Sequence, residues 1–477
     1  MKRLLTRLLA LTLLVTALPF AGAAFTDEKS IAADFTLAVT AMAEKGIIGG
    51  FPDGSFGPKK NLTRAQAAKI LCVMLEGAEK ADALTKTDTG FADVPASHWA
   101  AKYIAYCVEK NIVAGVGDGK FDPDGKLTTA AFAKMLLVAY GADAAKMTGK
   151  DWVTGVKEAA EPTLLTYHLK NGIQTGFMPR QEAAQMAWNA LYYASALAAA
   201  DKKDLTKTLP AAVPEKFKVL FIGTSGSADC MQSYLYELLQ DAGVKEIVLG
   251  NLWSSSTRLI EHADYSIQGT SKYTYAKTTT GEWSSEKGKT FDDAVLDEDW
   301  DVIITQYGVS KTTDETTYHP WLEVLLYALQ TKRPDAIFAW NLNWALQDGT
   351  KSTQYFGTLF DRNQLKMYDA IIRATKNQAL PEKRLQVLIP TGTALQNARS
   401  SYLGDTMTRD GQHLDKGIGR YVAAMTVCCS LTGVDPAKLT YAPDTLTKGQ
   451  VAVAKESVAN ALKAPLEITQ SKIMSEP

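Results

Sequence analysis

The sequence predicts an α/β protein in which a helix-rich repeat region precedes a domain with a parallel five-stranded sheet. Short apolar runs alternate with helical patterns after residue 217, as is typical of a parallel sheet covered on both faces. Before that point a glycine-rich motif recurs at a fixed spacing, which indicates a repeat architecture. The 477 residues, 46% hydrophobic and 22% charged, suffice for two or three globular domains. A net charge of −1 gives no indication of nucleic-acid binding.

The N-terminus has the three parts of a secretory signal peptide. Lys2, Arg3 and Arg7 supply positive charge, residues 8–20 form an apolar core, and residues 21–24 are small side chains suited to cleavage. The apolar core is too short for a membrane span, so we expect no transmembrane helix in the mature chain. Residues 1–24 are therefore predicted to be a signal peptide of an exported protein.

The cysteines and acidic residues do not indicate a metal or cofactor site. The five cysteines have irregular spacings that predict neither a disulfide framework nor a zinc site. The turn D-P-D-G at residues 122–125 is similar to a calcium loop, but an EF-hand needs a glutamate at loop position twelve, where this chain has Ala133. The sequence thus predicts no metal and no cofactor.

Two segments in the first third of the chain repeat one another. The sequence G-G-F-P-D-G-S-F-G-P at residues 49–58 matches G-V-G-D-G-K-F-D-P at residues 115–123. Each precedes an apolar helix, which starts near Thr63 in one copy and Thr128 in the other. A third, degenerate copy, G-I-Q-T-G-F at residues 172–177, precedes Arg180.

These segments resemble the S-layer homology (SLH) module, which has an F-x-D-V start (here F-A-D-V at residues 91–94), a G-x-x-D-G-x-F-x-P turn and a T-R-A-E helix start. The resemblance covers residues 25–197 and implies an α-helical trefoil that binds an anionic cell-wall polysaccharide. It also implies that Arg64 and Arg180 contact this ligand, since a planar guanidinium pairs bidentately with a carboxylate. The second repeat has Thr129 instead, and the alternative for Arg64 is an ordinary solvated charge at a helix end.

The second half of the chain is predicted to contain the α/β domain. A linker is expected at residues 198–216 and the domain at residues 217–435, followed by a partly helical C-terminal extension at residues 436–477. Residues 266–298 are polar and are expected to form an insertion near the mouth of the site. The five strands are predicted at residues 218–222, 246–249, 301–305, 336–340 and 385–389.

Ser225 is the candidate nucleophile, since it lies in the G-T-S-G-S turn directly after the first strand. Such a turn is at the carboxyl edge of the sheet, where sites form in open α/β folds, and the helix that follows offers amides to an oxyanion. Asp410 and His413 stand in one polar turn. His413 is suited to act as the general base, and Asp410 is suited to orient its imidazole ring. Taken alone, the serine turn could also have only a packing role or form a phosphate-binding loop, although no phosphate-loop motif is present.

Five sequence blocks follow one another here: G-T-S-G-S at residues 223–227, W-D-V-I-I-T-Q at 300–306, N-W-A at 343–345, P-T-G-T-A-L-Q-N-A-R at 390–399 and D-G-Q-H-L at 410–414. In this order they resemble the SGNH (GDSL-type) hydrolases, and more narrowly their DUF4886 branch. The resemblance implies a flavodoxin-like three-layer domain. It further implies a serine esterase with Ser225 as nucleophile, His413 as base and Asp410 as its orienter.

The resemblance implies further site residues. An oxyanion hole is expected from Ser225, from the side-chain amide of Gln306 and from Ser255, which stands where many relatives have a glycine. The alternative role of Gln306 is to cap the end of its strand, and that of Asn397 and Arg399 is to hold a loop together. The expected substrate-pocket residues are Asn343, Trp344, Asn397 and Arg399.

Two departures from the family pattern leave two functions open: Thr224 with Gly226 in the first block, and the serines at residues 254–256. The favoured function is that of an exported, wall-anchored esterase that deacylates, in particular deacetylates, a carbohydrate while its SLH repeats bind cell-wall polysaccharide. The alternative is an S-layer-associated protein that has lost turnover and only holds carbohydrate. In both cases we expect localisation at the bacterial cell surface and no nucleic-acid partner.

Overall fold

The computed structural model describes residues 25–194, 209, 211–309 and 311–476. The chain divides into two compact units between residues 198 and 199. The predicted signal peptide lies outside the described residues, as does much of the predicted linker. Among the described helices, none combines the length and the apolar character that crossing a membrane requires.

The N-terminal unit is helical, and three of its helices begin where the repeats predict them. The hydroxyls of Thr63 and Thr128 cap two of these helices by accepting hydrogen bonds from the amides of Gln66 and Ala131, at 3.3 and 3.1 Å. The helices are α1 (Thr36–Glu44), α2 (Arg64–Glu76), α3 (Ala78–Asp82), α4 (Ala101–Glu109), α5 (Thr129–Ala139), α6 (Trp152–Ala160) and α7 (Arg180–Asn189).

A closed ring of backbone hydrogen bonds joins the three helix starts. The amide of Leu62 donates to Met178 O at 2.8 Å, the amide of Met178 to Leu127 O at 2.9 Å, and the amide of Leu127 to Leu62 O at 2.9 Å. Each residue comes just before one of α2, α5 and α7, so the three segments take equivalent places around a pseudo-three-fold axis. The helical trefoil predicted for this region is therefore present, and the degenerate segment before α7 supplies its third member.

Two aspartates fix the turns of the first and second repeats in the same way. Asp93 accepts hydrogen bonds from the amides of Phe121 and Asp122 at 2.8 and 2.7 Å. Asp27 accepts equivalent bonds from the amides of Phe56 and Gly57. The bond from Phe121, with that from Asp122, holds the pKa of Asp93 below its ordinary value, against the opposing effect of burial.

The C-terminal unit is built on a seven-stranded sheet with the order β4-β3-β2-β1-β5-β6-β7. The five strands from β2 to β7 in this order are parallel, and their sequence 2-1-3-4-5 along the chain is that of flavodoxin-like folds. The strands are β1 (Lys216–Gly223), β2 (Glu246–Trp253), β3 (Tyr273–Thr278), β4 (Ser284–Lys289), β5 (Val302–Thr305), β6 (Ile337–Asn341) and β7 (Leu385–Ile389).

The predicted fold class is confirmed, but the predicted count of five strands is wrong. The polar segment interpreted as an insertion forms the hairpin β3–β4, which extends the sheet antiparallel to β2. Its second strand, S-S-E-K-G-K, is exposed along almost all of its length, because it is an edge strand with little core to cover. Tyr273, Ala276 and Thr278 on β3 are buried, so the inner strand of the hairpin packs whereas its outer strand does not.

Helices cover both faces of the sheet, as the alternation of side chains along β1 requires. Val219 and Phe221 belong to one hydrophobic cluster, and Leu220 and Ile222 to the other. The helices are α8 (Ser225–Met231), α9 (Leu235–Asp241), α10 (Leu259–Gln268), α11 (Phe291–Val295), α12 (Trp321–Lys332), α13 (Gln354–Phe360), α14 (Gln364–Ala374), α15 (Thr391–Arg399), α16 (Ile418–Thr432) and α17 (Lys448–Lys463).

The segment after Asp435 is part of this core. The buried side chains of α17 include Val453, Val458 and Ala461, which belong to the same cluster as Val219 and Phe221. The C-terminal helix therefore closes one face of the α/β unit.

We expect the Asp93→Asn substitution to reduce the pH dependence of the stability of the N-terminal unit. A carboxylate with a lowered folded pKa stabilises the fold above its unfolded pKa, near pH 4, and this contribution is lost as the pH falls through the folded value. In calorimetry of the full chain, the melting temperature of this unit should fall below about pH 4, and fall less in Asp93→Asn. The exposed Asp124 supplies the control, Asp124→Asn; equal slopes for Asp93→Asn and the parent would contradict the assignment.

Candidate active site

Ser225 stands at the carboxyl edge of the sheet, where β1 ends at Gly223 and α8 begins. It is half-buried, and the next residue, Gly226, is fully enclosed. A Cβ built on Gly226 would lie 3.2 Å from the ring of Trp344 and 3.4 Å from Gln306 Oε1. The indole thus fills the space behind this turn, which is why the chain has a glycine after the candidate nucleophile.

Ser225, His413 and Asp410 form a continuous row of hydrogen bonds. Ser225 Oγ is 2.9 Å from His413 Nε2, and His413 Nδ1 is 2.7 Å from Asp410 Oδ2. An ionised carboxylate only accepts hydrogen bonds, so Nδ1 carries the proton and donates to Asp410. Nε2 is then left as an acceptor for the serine hydroxyl, which is the tautomer that a general base needs.

The Asp410 carboxylate is kept ionised by its own turn. Burial raises its pKa, but hydrogen bonds from the amide and ring of His413 and from the amide of Gln412 outweigh this effect and lower the pKa overall. Asp410 Oδ1 accepts from His413 N at 2.7 Å and from Gln412 N at 3.0 Å. The partner of the imidazole therefore carries its negative charge at neutral pH.

Contacts from β6 and its loop fix the segment that carries His413. Trp344 Nε1 donates to Gln412 O at 2.8 Å, and Gln347 N donates to Gly411 O at 2.9 Å. Gly411 has a positive φ of 83°, and a Cβ there would lie 2.1 Å from Thr350 Oγ1. Only glycine fits this place, so the sharp D-G-Q-H turn and the position of the imidazole depend on it.

One amide hydrogen of Gln306 is bound inside the fold, and the atom beside the serine turn is its oxygen, which disfavours its predicted oxyanion role. Its Nε2 donates to Asn343 Oδ1 at 2.6 Å, and Asn343 Nδ2 donates to Tyr307 O at 2.6 Å. The bond to Tyr307 fixes the orientation of the Asn343 amide, which in turn fixes that of Gln306. The atom beside Gly226 is consequently Gln306 Oε1, a buried acceptor without a hydrogen-bond partner in the described part of the chain.

Ser255, another residue predicted for the oxyanion hole, is exposed in the turn after β2. The amide of its neighbour Ser254 donates to Gly223 O at 3.2 Å, so this turn lies beside the end of β1. Trp344 is 1% exposed and supports the serine turn from below, without a surface for substrate. Asn397 Nδ2 donates to Ser457 O, and its Oδ1 accepts from Thr469 N, so this amide ties α15 to the C-terminal segment.

Arg399 is likewise structural. It is 7% exposed, donates to Ala345 O at 3.0 Å and forms an ion pair with Asp405 at 2.9 Å. The expected pocket role of Asn397 and Arg399 is therefore corrected: both are α15 residues whose polar atoms are used inside the fold. This was the alternative that the sequence left open.

In the N-terminal unit, Arg64 and Arg180 lie in equivalent seams between repeats. Arg64 Nε donates to Phe121 O at 2.7 Å, and Arg180 Nε donates to Phe56 O at 2.9 Å. Each guanidinium also packs on a phenylalanine ring, at 4.4 Å for Arg64 and 5.0 Å for Arg180. Both guanidinium groups, which were predicted to contact a ligand, thus donate hydrogen bonds to the chain's own carbonyls.

A family model described as “Domain of unknown function (DUF4886)” matches residues 218–461, just over half of the chain. The chain belongs to the DUF4886 family. A second model, “S-layer homology domain”, matches residues 24–68 and 90–133, which contain the first two repeats. The predicted order of SLH repeats followed by a DUF4886 domain is therefore confirmed.

The relatives agree with this division. A solved DUF4886 family protein from Bacteroides uniformis is 32% identical with a TM-score of 0.51, and the match covers 54% of this chain and 98% of that one. A cellulosome-anchoring protein from Acetivibrio thermocellus is 44% identical over 18% of this chain and 19% of its own length. A cell surface protein from Thermoanaerobacter kivui is 31% identical over 35% of this chain and 21% of its own length.

The chain thus spans about a fifth of the length of these curated relatives. These matches confirm the predicted localisation at the cell surface.

Asp229 is the residue of this DUF4886 domain that sequence reasoning missed. It lies one helical turn after Ser225 on α8, is 1% exposed, and accepts from Leu414 N at 2.9 Å. It also pairs with Arg409 at 3.0 Å and with Arg420 at 2.6 Å. One buried carboxylate therefore joins the helix of the serine to the loop of the histidine; its spacing of four from Ser225 was the available signal.

We expect Asp229→Asn to destabilise the DUF4886 unit by about 1–3 kcal/mol, because it removes the charge that two arginines and a buried amide share. Urea unfolding of the full chain should show a lower midpoint for this unit. The control is Asp299→Asn, since Asp299 also pairs with an arginine but is 95% exposed, and such a pair contributes little. Equal midpoints for the two variants would contradict the role assigned to Asp229.

Proposed function

We propose that the DUF4886 unit is a serine esterase that removes acyl groups, acetyl in particular, from a carbohydrate. The row of hydrogen bonds from Ser225 through His413 to Asp410 carries this proposal. A serine hydroxyl is a weak nucleophile unless a base takes its proton, and this base has both the distance and the tautomer for it.

In the first step, His413 Nε2 takes the proton of Ser225 Oγ as the oxygen attacks the ester carbonyl carbon. The imidazolium that forms is stabilised by the Asp410 carboxylate at 2.7 Å. The carbonyl oxygen becomes an oxyanion, for which the amides of Ser225 and Gly226 are the available donors, because the first amides of a helix have no acceptor within it.

In the second step, the tetrahedral intermediate collapses to an acyl-enzyme. The sugar oxygen leaves and takes the proton from His413, so the alcohol is released neutral. Water then attacks the acyl carbon while His413 again accepts a proton, and the carboxylic acid is released as Ser225 Oγ recovers its hydrogen. The net reaction consumes one water and yields the free hydroxyl and the acid.

The SLH unit is proposed to hold the enzyme on an anionic cell-wall polysaccharide. A cavity of about 440 Å³ in this unit is lined by Lys69, Trp99 and Arg180, among others. Trp99 is 54% exposed, so an aromatic face and an ammonium group are both available to a ligand there. Cation and aromatic together suit a sugar chain that carries negative charge.

A second candidate function is a carbohydrate-holding protein without turnover. Gln306 favours it, because this amide presents an acceptor where a donor would assist the oxyanion. Retention of glycan by the parent protein without hydrolysis of any acyl ester would support this alternative.

We expect Ser225→Ala to lower kcat/KM on 4-nitrophenyl acetate by at least about a thousandfold, since the nucleophile is lost. Release of 4-nitrophenol gives the rate directly. The matched control is Ser285→Ala, which changes an exposed serine on β4 and should retain the parent rate. Hydrolysis that survives Ser225→Ala would reject the mechanism.

We expect Trp99→Ala to weaken binding to purified cell-wall polysaccharide by about tenfold, as the loss of one aromatic contact of roughly 1.4 kcal/mol predicts. Cosedimentation of the full chain with wall polysaccharide measures this affinity. Phe177→Ala is the control, since Phe177 is also an exposed aromatic of this unit, at 56%, but does not line the cavity. Equal affinities for the two variants would remove Trp99 from the binding site.

A further inference from the structure

A second cavity, of about 340 Å³, lies in the DUF4886 unit beside the C-terminal end of α8. Its walls come from the start of α9, the turn of the β3–β4 hairpin and the start of α16. The mechanism described above uses none of its residues. Four aromatic side chains line it: Tyr234, Tyr236, Trp283 and Tyr441.

The aromatic walls are held in place by the chain itself. The hydroxyl of Tyr236 donates to Thr279 O at 2.9 Å, and that of Tyr234 donates to Lys416 O. Gly281 in the hairpin turn has a φ of 93°, and a Cβ there would lie 3.1 Å from the ring of Tyr236. Both tyrosines are therefore anchored at their hydroxyls, which leaves their rings fixed as surfaces.

Three charged side chains, those of Glu237, Lys416 and Arg420, surround these rings. Arg420 donates to Ser233 Oγ at 3.0 Å and pairs with Asp229 at 2.6 Å, while its buried Nε has no hydrogen-bond partner in the described part of the chain. The ammonium group of Lys416 and the carboxylate of Glu237 also form neither a hydrogen bond nor an ion pair within residues 211–309 and 311–476. Lys416 is exposed and Glu237 is half-buried, so this donor and this acceptor are accessible to a ligand.

The cavity is aligned with the candidate catalytic residues. Gln232, in its wall, is the C-cap residue of α8 and follows Ser225 by seven residues. This spacing is close to two helical turns, so the two residues lie on the same side of the helix, about 10 Å apart. Lys416 follows His413 by three residues and lies in the same loop. A chain molecule with its ester at Ser225 could thus extend along α8 into the cavity.

We propose that this cavity is a subsite for a sugar residue of the polysaccharide that carries the ester. Sugar rings have apolar C–H faces that pack on aromatic rings, and hydroxyls that bind charged donors and acceptors at the edge. The four aromatic rings supply the first kind of contact, and Glu237 and Lys416 supply the second. The inference rests on the proposed esterase function and adds that the substrate is a polymer or oligomer rather than a single acylated sugar.

Two variants of the full chain test the subsite, Trp283→Ala and Lys416→Ala. Each is assayed on acetylated xylan and on 4-nitrophenyl acetate, which is too small to reach the cavity. We expect the ratio of kcat/KM for the polymer to kcat/KM for the small ester to fall about tenfold in Trp283→Ala, and to fall in Lys416→Ala. Lys416 is exposed, so Lys416→Ala remains informative if Trp283→Ala fails to fold. The control is Leu359→Ala, which removes an exposed apolar side chain of the same unit that does not line the cavity.

A binding measurement separates this inference from the esterase proposal. Calorimetric titration of Ser225→Ala with xylohexaose, cellohexaose and chitohexaose requires no turnover. If the double variant Ser225→Ala/Trp283→Ala binds any of these oligosaccharides more weakly than Ser225→Ala does, the subsite is supported, even if the parent hydrolyses no ester. Absence of binding to all three, or ratios and affinities equal to those of Leu359→Ala, would overturn it.

Discussion

The hydrogen bond between Ser225 Oγ and His413 Nε2 joins positions 188 residues apart, and the chemistry of the α/β unit depends on it. Neither partner holds the other in place. The serine is positioned by the strand-to-helix turn and by the indole behind Gly226, and the imidazole by a glycine-dependent loop. Asp229 connects the serine helix to the histidine loop. Its carboxylate is carried by α8 and accepts a hydrogen bond from the backbone amide of Leu414, the residue after His413. The alignment of Ser225 with His413 is thus maintained by the buried carboxylate of Asp229 and its partners.

Features set by local sequence could be predicted. The five parallel strands are short runs of β-branched and apolar residues, and all five occur where expected to within a few residues. The Asp410 turn was predictable for the same reason, since its bonds to His413 are only three residues apart. The edge strand β4 was missed because a strand whose side chains are exposed along almost all of its length has no apolar pattern.

Roles that depend on long-range partners could not be predicted from residue type. Gln306 is an amide at the end of a strand, as expected, but its orientation is decided by Asn343, which lies after another strand and is itself oriented by the carbonyl of Tyr307. Asn397 and Arg399 stand in a family motif, yet their partners lie outside it. Asn397 binds Ser457 on α17 and Thr469 in the C-terminal segment, and Arg399 pairs with Asp405. Asp229 shows the reverse case, because an ordinary helical aspartate gains its importance only from Leu414, Arg409 and Arg420.

The ring formed by Leu62, Leu127 and Met178 sets a limit on the architecture of the SLH unit. In a solenoid, each added repeat leaves a free end on which the next can stack, so length is adjustable. Here the third amide returns to the first carbonyl, and no donor or acceptor of the cycle is left over for a fourth member. Removal of one member would instead leave an amide and a carbonyl unpaired at the centre. The assembly is therefore complete at three and indivisible, which explains why even a repeat with little of the motif left must keep its backbone in place.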